Sequence, residues 1–494
     1  MAKEIPIKCK GNRLMFILSH QKRLYVSCLM NLMNGRNVEM KKFYALDLFA
    51  GCGGLSEGFT QAGFEVIAQV EVDRWACETL KTRHMYHGLK EIEKGYLYNE
   101  YLKEKIGKEE ILNKFEEIGE SISYRVIRAT LGSDETSGIL EKIESSRKYH
   151  SAPKFHVLLG GPPCQPYSLA GRARDPLRME NDGRHFLYKY YLEILESLQP
   201  DFFVYENVPG LFTARAGGKR IFERILEDFT SLHPSYEIIP SLQQIYTDPC
   251  NYILDTADFF IPQRRKRLIL IGYRKSLGKK NPGIKDIFKK VQEIALKNKK
   301  EGCLTVDDAI GDLPPLKPGE GSEGWYGYYP SNSNLKKYQK EMRENSPGIL
   351  NHRARTHMES DLERYKYFIE FHNNGKGAAT LETLKRERPD LLPEHKHLDK
   401  FLDRFKVQWW TYPSSTITAH ICKDGHYYIH PDIHQCRSFT VREAARCQSF
   451  PDNFKFEGPR TEQFRQVGNA VPPRFARVIG RFILEELDKI YEEK

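Results

Sequence analysis

The chain has 494 residues, 40% of them hydrophobic, and a formal net charge of +10. That length exceeds one ordinary domain, and no apolar run reaches the roughly 18 to 20 residues a bilayer span requires, which excludes a membrane protein and a disordered chain. Ten cysteines lie scattered from Cys9 to Cys447 without a Cys-x-x-Cys pair, so a disulfide framework is excluded and thiols remain available for chemistry. The expected setting is the cytoplasm.

In chain order, Met40-Lys41-Lys42 precedes the first readable strand, and residues 1–39 are expected to be an extension. Tyr44 to Phe49 reads as a buried strand running into Ala50-Gly51-Cys52-Gly53-Gly54 and a short helix that ends at Gly63. Phe64 to Val70 gives a second strand closed by Glu71, before a helix opened by Asp73. Strand, glycine turn and helix form a nucleotide-type half-fold, with Glu71 twenty residues after Gly51 and placed for ribose hydroxyls. The Gly-x-Gly-Gly spacing argues against a dinucleotide oxidoreductase. Between Leu80 and His150 the chain reads as an insertion with its own helix.

Val157-Leu158-Leu159 then runs into Gly160-Gly161-Pro162-Pro163-Cys164-Gln165-Pro166-Tyr167-Ser168. Prolines on both sides of Cys164 fix the backbone, so the thiol is presented in a stiff loop and not packed in a core. Leu169 to Gly183, with Gly171, Arg172, Arg174 and Arg178, has the glycines and phosphate-binding charges of a mobile lid. Phe186 to Gln199 has helical periodicity stopped by Pro200. Phe202 to Tyr205 is a strand leading to Glu206-Asn207-Val208-Pro209-Gly210. Gln263 to Arg267 leads into Leu268 to Gly272, and alternation sends Gln263, Arg265 and Arg267 to one face. Polar residues past successive strand ends converge in the ligand crevice of an open α/β sheet.

These blocks, with Arg442 to Pro451 and Gln466-Val467-Gly468-Asn469-Ala470-Val471-Pro472-Pro473, resemble the DNA (cytosine-5) methyltransferase family, in the family's order from about residue 43 to 480. The resemblance implies an α/β, Rossmann-like S-adenosylmethionine-dependent methyltransferase domain with a smaller, irregular target-recognition domain. It implies a catalytic domain over 40–274 and 436–494, made discontinuous by a last helix packed back beside the first strand, and a target-recognition domain over 275–435. The methyl donor is then S-adenosylmethionine, with Phe49 on adenine, Ala50, Gly51, Gly53 and Gly54 at the methionine part, Glu71 and Val72 at the ribose end, and Pro163 and Asn469 beside it. Cys164 is the implied nucleophile, Glu206 the group at the ring nitrogen, and Arg265 and Arg267 the supporting cations. Asp134 is a candidate contact to the adenine amine, although a surface turn is the simpler reading.

The implied partner is double-stranded DNA, with the target cytosine extruded, since carbon 6 inside a duplex is out of reach of a thiolate. From Lys275 to Trp410 there are 26 Lys and Arg against 20 Asp and Glu, in keeping with a polyanion. Expected DNA contacts are Ser168, Arg172, Arg174, Gln263 and Arg353, and Asn351, His352 and Arg355 are further candidate base readers. His420, Cys422, His426, His430, His434 and Cys436 fit no standard zinc finger, and no metal is expected. The chain reads as a monomeric, nucleoid-associated modification enzyme of the kind that works beside a separate restriction endonuclease. An RNA-directed relative is the alternative, although it needs little of the 275–435 region. A silent DNA-binding regulator is less favoured, because Cys164, Glu206, Arg265 and Asn469 are all present.

Overall fold

The structure is a computed structural model and describes residues 41–163, 187–216, 219–239, 252–331, 334–394 and 403–492. Its centre is a mixed sheet of β1 (Tyr44–Leu48), β2 (Glu65–Glu71), β3 (Val126–Arg128), β4 (Val157–Gly160), β5 (Phe202–Asn207), β6 (Tyr236–Ile239), β7 (Ile253–Asp255) and β8 (Lys266–Arg274). The order is β3-β2-β1-β4-β5-β8-β6, with β7 also paired to β8. Strands β1 to β5 are parallel, whereas β8 runs antiparallel to β5, β6 and β7. Strand order reverses between β1 and β4, so the crevice at their carboxyl ends is the topological switch point. The glycine turn leaves β1 there, and the loop that leads to Cys164 leaves β4 beside it.

Both faces of the sheet are covered, which is why β1 and β4 are buried along their whole lengths. One face packs Leu46, Ile67 and Leu158 against Ile143 of α5 (Thr136–Tyr149), Tyr191 of α6 (Leu187–Leu198) and Phe229 of α7 (Ile221–Ser231). The other packs Ala45, Val66, Leu159 and Val204 against Phe59 of α1 (Gly54–Ala62), Phe288 of α8 (Ile287–Glu301) and Ile479 and Ile483 of α11 (Pro473–Glu492). Each such side chain contributes about 1.5–3 kcal/mol when fully buried. The early and late parts of the chain meet at α1 and α11. A Cβ on Gly58 would lie 2.4 Å from Ala476 Cβ and from Pro473 O, so only glycine lets these helices approach so closely.

Two expected boundaries do not coincide with breaks in packing. Leu277, Ile284, Ile287 and Val291, expected in the target-recognition domain, join the core on the second face of the sheet, because α8 lies on the sheet. Conversely, Val441, Ala445, Phe450 and Val467, expected in the catalytic part, share a core with Val306, Tyr338, Ile417 and Tyr428. That core holds α9 (Val441–Cys447) and α10 (Arg460–Asn469), and beside it lies an antiparallel ribbon of β9 (Gly321–Gly327) and β10 (Ile349–Arg353). The segment after α2 (Arg74–Glu91) forms α3 (Gly95–Leu102), a short helix Lys108–Lys114 and α4 (Glu116–Arg125). These pack on Leu80, Met85 and Leu89 of α2 and reach the recognition part through Tyr98, whose hydroxyl donates to Asn453 O at 3.0 Å. Among the described residues no helix is long and apolar enough to cross a membrane.

Candidate active site

The turn after β1 is built from left-handed residues, with φ of 55° at Phe49, 55° at Gly51 and 88° at Gly53. At Phe49, a bulky residue, this conformation is strained and persists only because the surroundings enforce it. The backbone N–H of Ala50 donates to Val70 O at 3.1 Å. The N–H of Gly51 donates to Glu71 Oε2 at 2.7 Å, and those of Val72 and Asp73 donate to Oε1 at 2.9 and 2.8 Å. Glu71 therefore stitches the turn to the end of β2. Burial raises its carboxyl, and the three backbone donors pull the other way.

The three turn glycines have different reasons to be glycine. A Cβ on Gly51 meets nothing within 4 Å, so its side faces open space where a ligand can approach. On Gly53 it would lie 2.7 Å from Leu80 Cδ2, and on Gly54 2.1 Å from Val471 O. Gly54 thus admits the C-terminal segment, not a ligand. Asn469, exposed at the end of α10, sits two residues before that contact. Helix α10 is seated by Thr79 Oγ1 donating to Gln466 Oε1 at 2.6 Å. Val72 is 51% exposed at the same edge.

Beneath the turn lies a buried polar chain that sequence reasoning did not assign. Ser56 Oγ donates to Asp47 Oδ2, Gln69 Nε2 donates to Ser56 Oγ at 2.6 Å, and His84 Nε2 meets Gln69 Oε1 at 2.6 Å. Asp47 Oδ1 is buried with no hydrogen-bond partner. A carboxylate within an otherwise apolar strand was the available signal. Burial pushes Asp47 up from its ordinary 3.8 to about 7. Between those values the folded chain holds a proton that the unfolded chain has lost, so this residue's contribution to stability falls as pH rises from about 4 to 7. Asp47→Asn is therefore expected to flatten the decline in thermal midpoint between pH 5 and 8. Parallel pH curves for the two proteins would refute this.

The other half of the candidate site lies across the switch point. Glu206 falls within the last residues of β5, not past its end, and Arg267 stands on the neighbouring β8. Arg267 Nε and Glu206 Oε1 form an ion pair at 2.8 Å, with the two side chains only 11% and 12% exposed. Gly161 presses on the other oxygen, since a Cβ there would lie 2.7 Å from Glu206 Oε2. Asn207 Nδ2 donates to Pro162 O at 3.3 Å and fixes the same loop. The loop is described as far as Pro163. Cys164, Ser168, Arg172, Arg174 and the expected lid lie outside the described residues.

The expected alternation holds: Arg264 and Lys266 are exposed while Gln263, Arg265 and Arg267 are buried. The inward residues nevertheless have different neighbours. Arg265 turns to main-chain carbonyls, donating to Ile417 O and to Gly468 O at 3.2 Å, so it ties β8 to the segments at 417 and 468. Gln263, expected at DNA, is fully buried and donates to Gln448 Oε1 at 2.8 Å while accepting from Ile417 N at 2.7 Å. Asn351, His352 and Arg355 are likewise internal. His352 Nδ1 meets Thr440 Oγ1 at 2.9 Å, burial pushes its ring down to about 4, and Arg355 donates to the carbonyls of Ile421, Cys422 and Lys423. Of the four candidate readers, Arg353 alone is exposed, with Glu323 at 3.5 Å. Asp134 is exposed in the turn after β3 and accepts from Thr130 N at 2.6 Å. Among the described residues no group of three or more His, Cys, Asp or Glu side chains is placed to hold a metal ion.

The family description "C-5 cytosine-specific DNA methylase" matches residues 43–100 and 133–485. The chain belongs to this family. Its activity is methyl transfer to carbon 5 of cytosine in DNA. The stretch skipped by the match, 101–132, holds the helix Lys108–Lys114, α4 and β3. The Type II methyltransferase M.Bpa9945I of Bacillus paralicheniformis is 40% identical over 460 residues, which cover 90% of this chain and 99% of that one. M.DdeI of Desulfomicrobium norvegicum is 29% identical, with 89% and 88% covered. A solved structure of a candidate DNA modification methyltransferase encoded within a prophage (E. coli) superposes with a TM-score of 0.55 at 22% identity, covering 90% of this chain and all of that one. It supports the methyltransferase fold.

Proposed function

We propose that this cytosine-5 methyltransferase acts within one specific sequence of duplex DNA, on an extruded cytosine and through a covalent adduct of Cys164, as the monomeric modification half of a restriction–modification pair in the cytoplasm. The observation that carries the site assignment is the Arg267–Glu206 pair, packed against Gly161, three residues before Cys164. The named relatives, Type II methyltransferases, support the restriction–modification setting.

The residues at the first turn fit S-adenosylmethionine. Glu71 offers carboxylate oxygens toward ribose hydroxyls, Gly51 leaves open space, and Phe49 and Val72 offer apolar surface. When bound, this donor supplies an electrophilic methyl group. Carbon 5 of cytosine is a poor nucleophile, and bonding of the Cys164 sulfur to carbon 6 moves electron density to carbon 5 as an enamine while the ring nitrogen at position 3 takes a proton from the Glu206 carboxyl. The same carboxyl accepts from the exocyclic amine, which distinguishes cytosine from thymine. After methylation, loss of the carbon-5 proton to solvent and expulsion of the Cys164 thiolate from carbon 6 restore the ring, and the ring nitrogen returns its proton to Glu206. Arg267 positions the carboxylate so that little reorganisation is needed at the moment of reaction. Extrusion of the base costs a few kcal/mol of unstacking, offset by closure over the flipped ring.

Glu206→Gln is expected to lower kcat by about 100-fold or more while DNA affinity stays within about two-fold, because the group acts on the extruded base and not on the duplex. The assay is transfer of a labelled methyl group from S-adenosylmethionine to duplex DNA and, in parallel, to structured RNA. Transfer to DNA alone supports the proposal; transfer to RNA alone would replace the substrate.

A further inference from the structure

The exposed face of the arginine strand joins a second group of cations that the reaction does not use. Helix α8 ends in Lys297-Asn298-Lys299-Lys300, with all three lysines exposed and Asn298 buried. Asn298 Nδ2 donates to Asp258 O at 3.0 Å, which fastens the end of α8 to the turn after β7. That turn is fastened in its own right to the arginine segment. Thr256 N donates to Arg265 O at 3.1 Å, Asp255 Oδ1 accepts from Arg265 N at 3.1 Å, and Arg264 Nη1 lies 3.7 Å from Asp255 Oδ2. Asp258 feels Lys299, Arg264 and Lys266 together, so these cations share one neighbourhood.

The acids at this place are Asp255 and Asp258 and, on α8 itself, Glu293 and Glu301. Asp255 faces inward onto backbone N–H groups of Arg265 and Ala257, and Asp258 is partly buried. Lys297, Lys299, Lys300, Arg264 and Lys266 are exposed against the two exposed carboxylates of Glu293 and Glu301, so the outer rim is basic. It also has a fixed relation to the reaction site, since Arg264 and Lys266 alternate along the chain with Arg267, whose guanidinium holds Glu206.

We propose that Lys297, Lys299 and Lys300, together with Arg264 and Lys266, form a ledge that grips the phosphates of duplex DNA flanking the target, outside the base-reading surface. This rests on the duplex-DNA reading above. Phosphate contacts carry no sequence information, so the ledge contributes affinity, register and approach along DNA to any duplex, specific or not.

The test compares wild type with the triple variant Lys297→Gln/Lys299→Gln/Lys300→Gln on an unrelated duplex across a salt series. Each phosphate that the protein no longer neutralises lowers the slope of log affinity against log salt by about 0.9, so a reduction of about 2 to 3 is expected, with a weakening of about ten-fold or more near 0.1 M salt. In turnover the KM for DNA rises while kcat and the affinity for S-adenosylmethionine stay unchanged. The control is Lys279→Gln/Lys280→Gln/Lys289→Gln, with Lys289 about 16 Å along α8 from Lys300 at the helical rise. An unchanged slope in the first variant overturns the ledge, as does an equal fall in both variants, which would show a diffuse effect of net charge. Wild type without affinity for any duplex would instead sink the duplex-DNA reading, and the two failures are thereby distinct.

Discussion

Replacing Cys164 with serine is expected to reduce methyl transfer by about 1,000-fold or more while leaving duplex binding and cofactor binding near wild-type levels. A thiol has an ordinary pKa near ~8.5 and is partly ionised at neutral pH, whereas a serine hydroxyl is not and needs a dedicated base to attack carbon 6. Neither Glu206 nor Arg267 serves as that base, because each is engaged with the other. The check is single-turnover transfer of labelled methyl to duplex DNA, alongside binding measured on the same preparation. A serine enzyme within ten-fold of wild type would contradict a covalent cysteine mechanism.

The largest expected effect on stability is at Arg446, fully buried beside the core that α9 shares with Val306 and Tyr338. Its Nε and Nη2 donate to the two oxygens of Asp452 at 2.8 and 2.6 Å, and Nη1 donates to Asp312 and, at 3.0 Å, to Ala309 O. Arg446→Met leaves Asp452 and Asp312 buried with a shared cation removed, at a cost of about 3–5 kcal/mol. Asp452 is held below its ordinary range chiefly by Arg446, against the opposing effect of burial. A depressed carboxylate contributes stability above its unfolded pKa of 3.8 and loses it only as pH falls below that, so the gap between variant and wild type should narrow below pH 4. Denaturant midpoints at pH 7.5 and about 3.5 measure this. A gap that widens in acid would show that the network is not held together by charge.

The parts of the fold legible in the sequence were those dictated locally. Strand β1, the glycine turn and the capping Asp73 follow from residues adjacent in the chain, and the alternation from Gln263 to Arg267 follows from strand geometry alone. What alternation does not contain is the neighbour that each inward side chain meets. Arg267 faces Glu206, whereas Gln263 and Arg265 face carbonyl and amide groups contributed by residues 417–468. Gly54 illustrates the same limit, since its requirement comes from Val471, more than 400 residues away.

Asn351, His352 and Arg355 are internal for a physical reason. Irregular segments leave carbonyl groups without ladder partners, and buried polar side chains satisfy them. Arg355 and Asn351 do this for Ile421 to Lys423 and for Glu323 and Phe456. A polar side chain in such a region is as readily an internal brace as a base reader, and the residue types do not separate the two. Helices α3 and α4 were legible only as an insertion, because their role as a bracket between α2 and Asn453 depends on a contact across more than 350 residues.

The most direct test of the central claim is expression of the chain in a host without DNA methylation, followed by sequencing of that host's DNA for 5-methylcytosine at single-base resolution. The account predicts 5-methylcytosine confined to one short sequence motif and absent with Cys164→Ser. Unmodified DNA in a host containing soluble, folded protein that binds S-adenosylmethionine would contradict it.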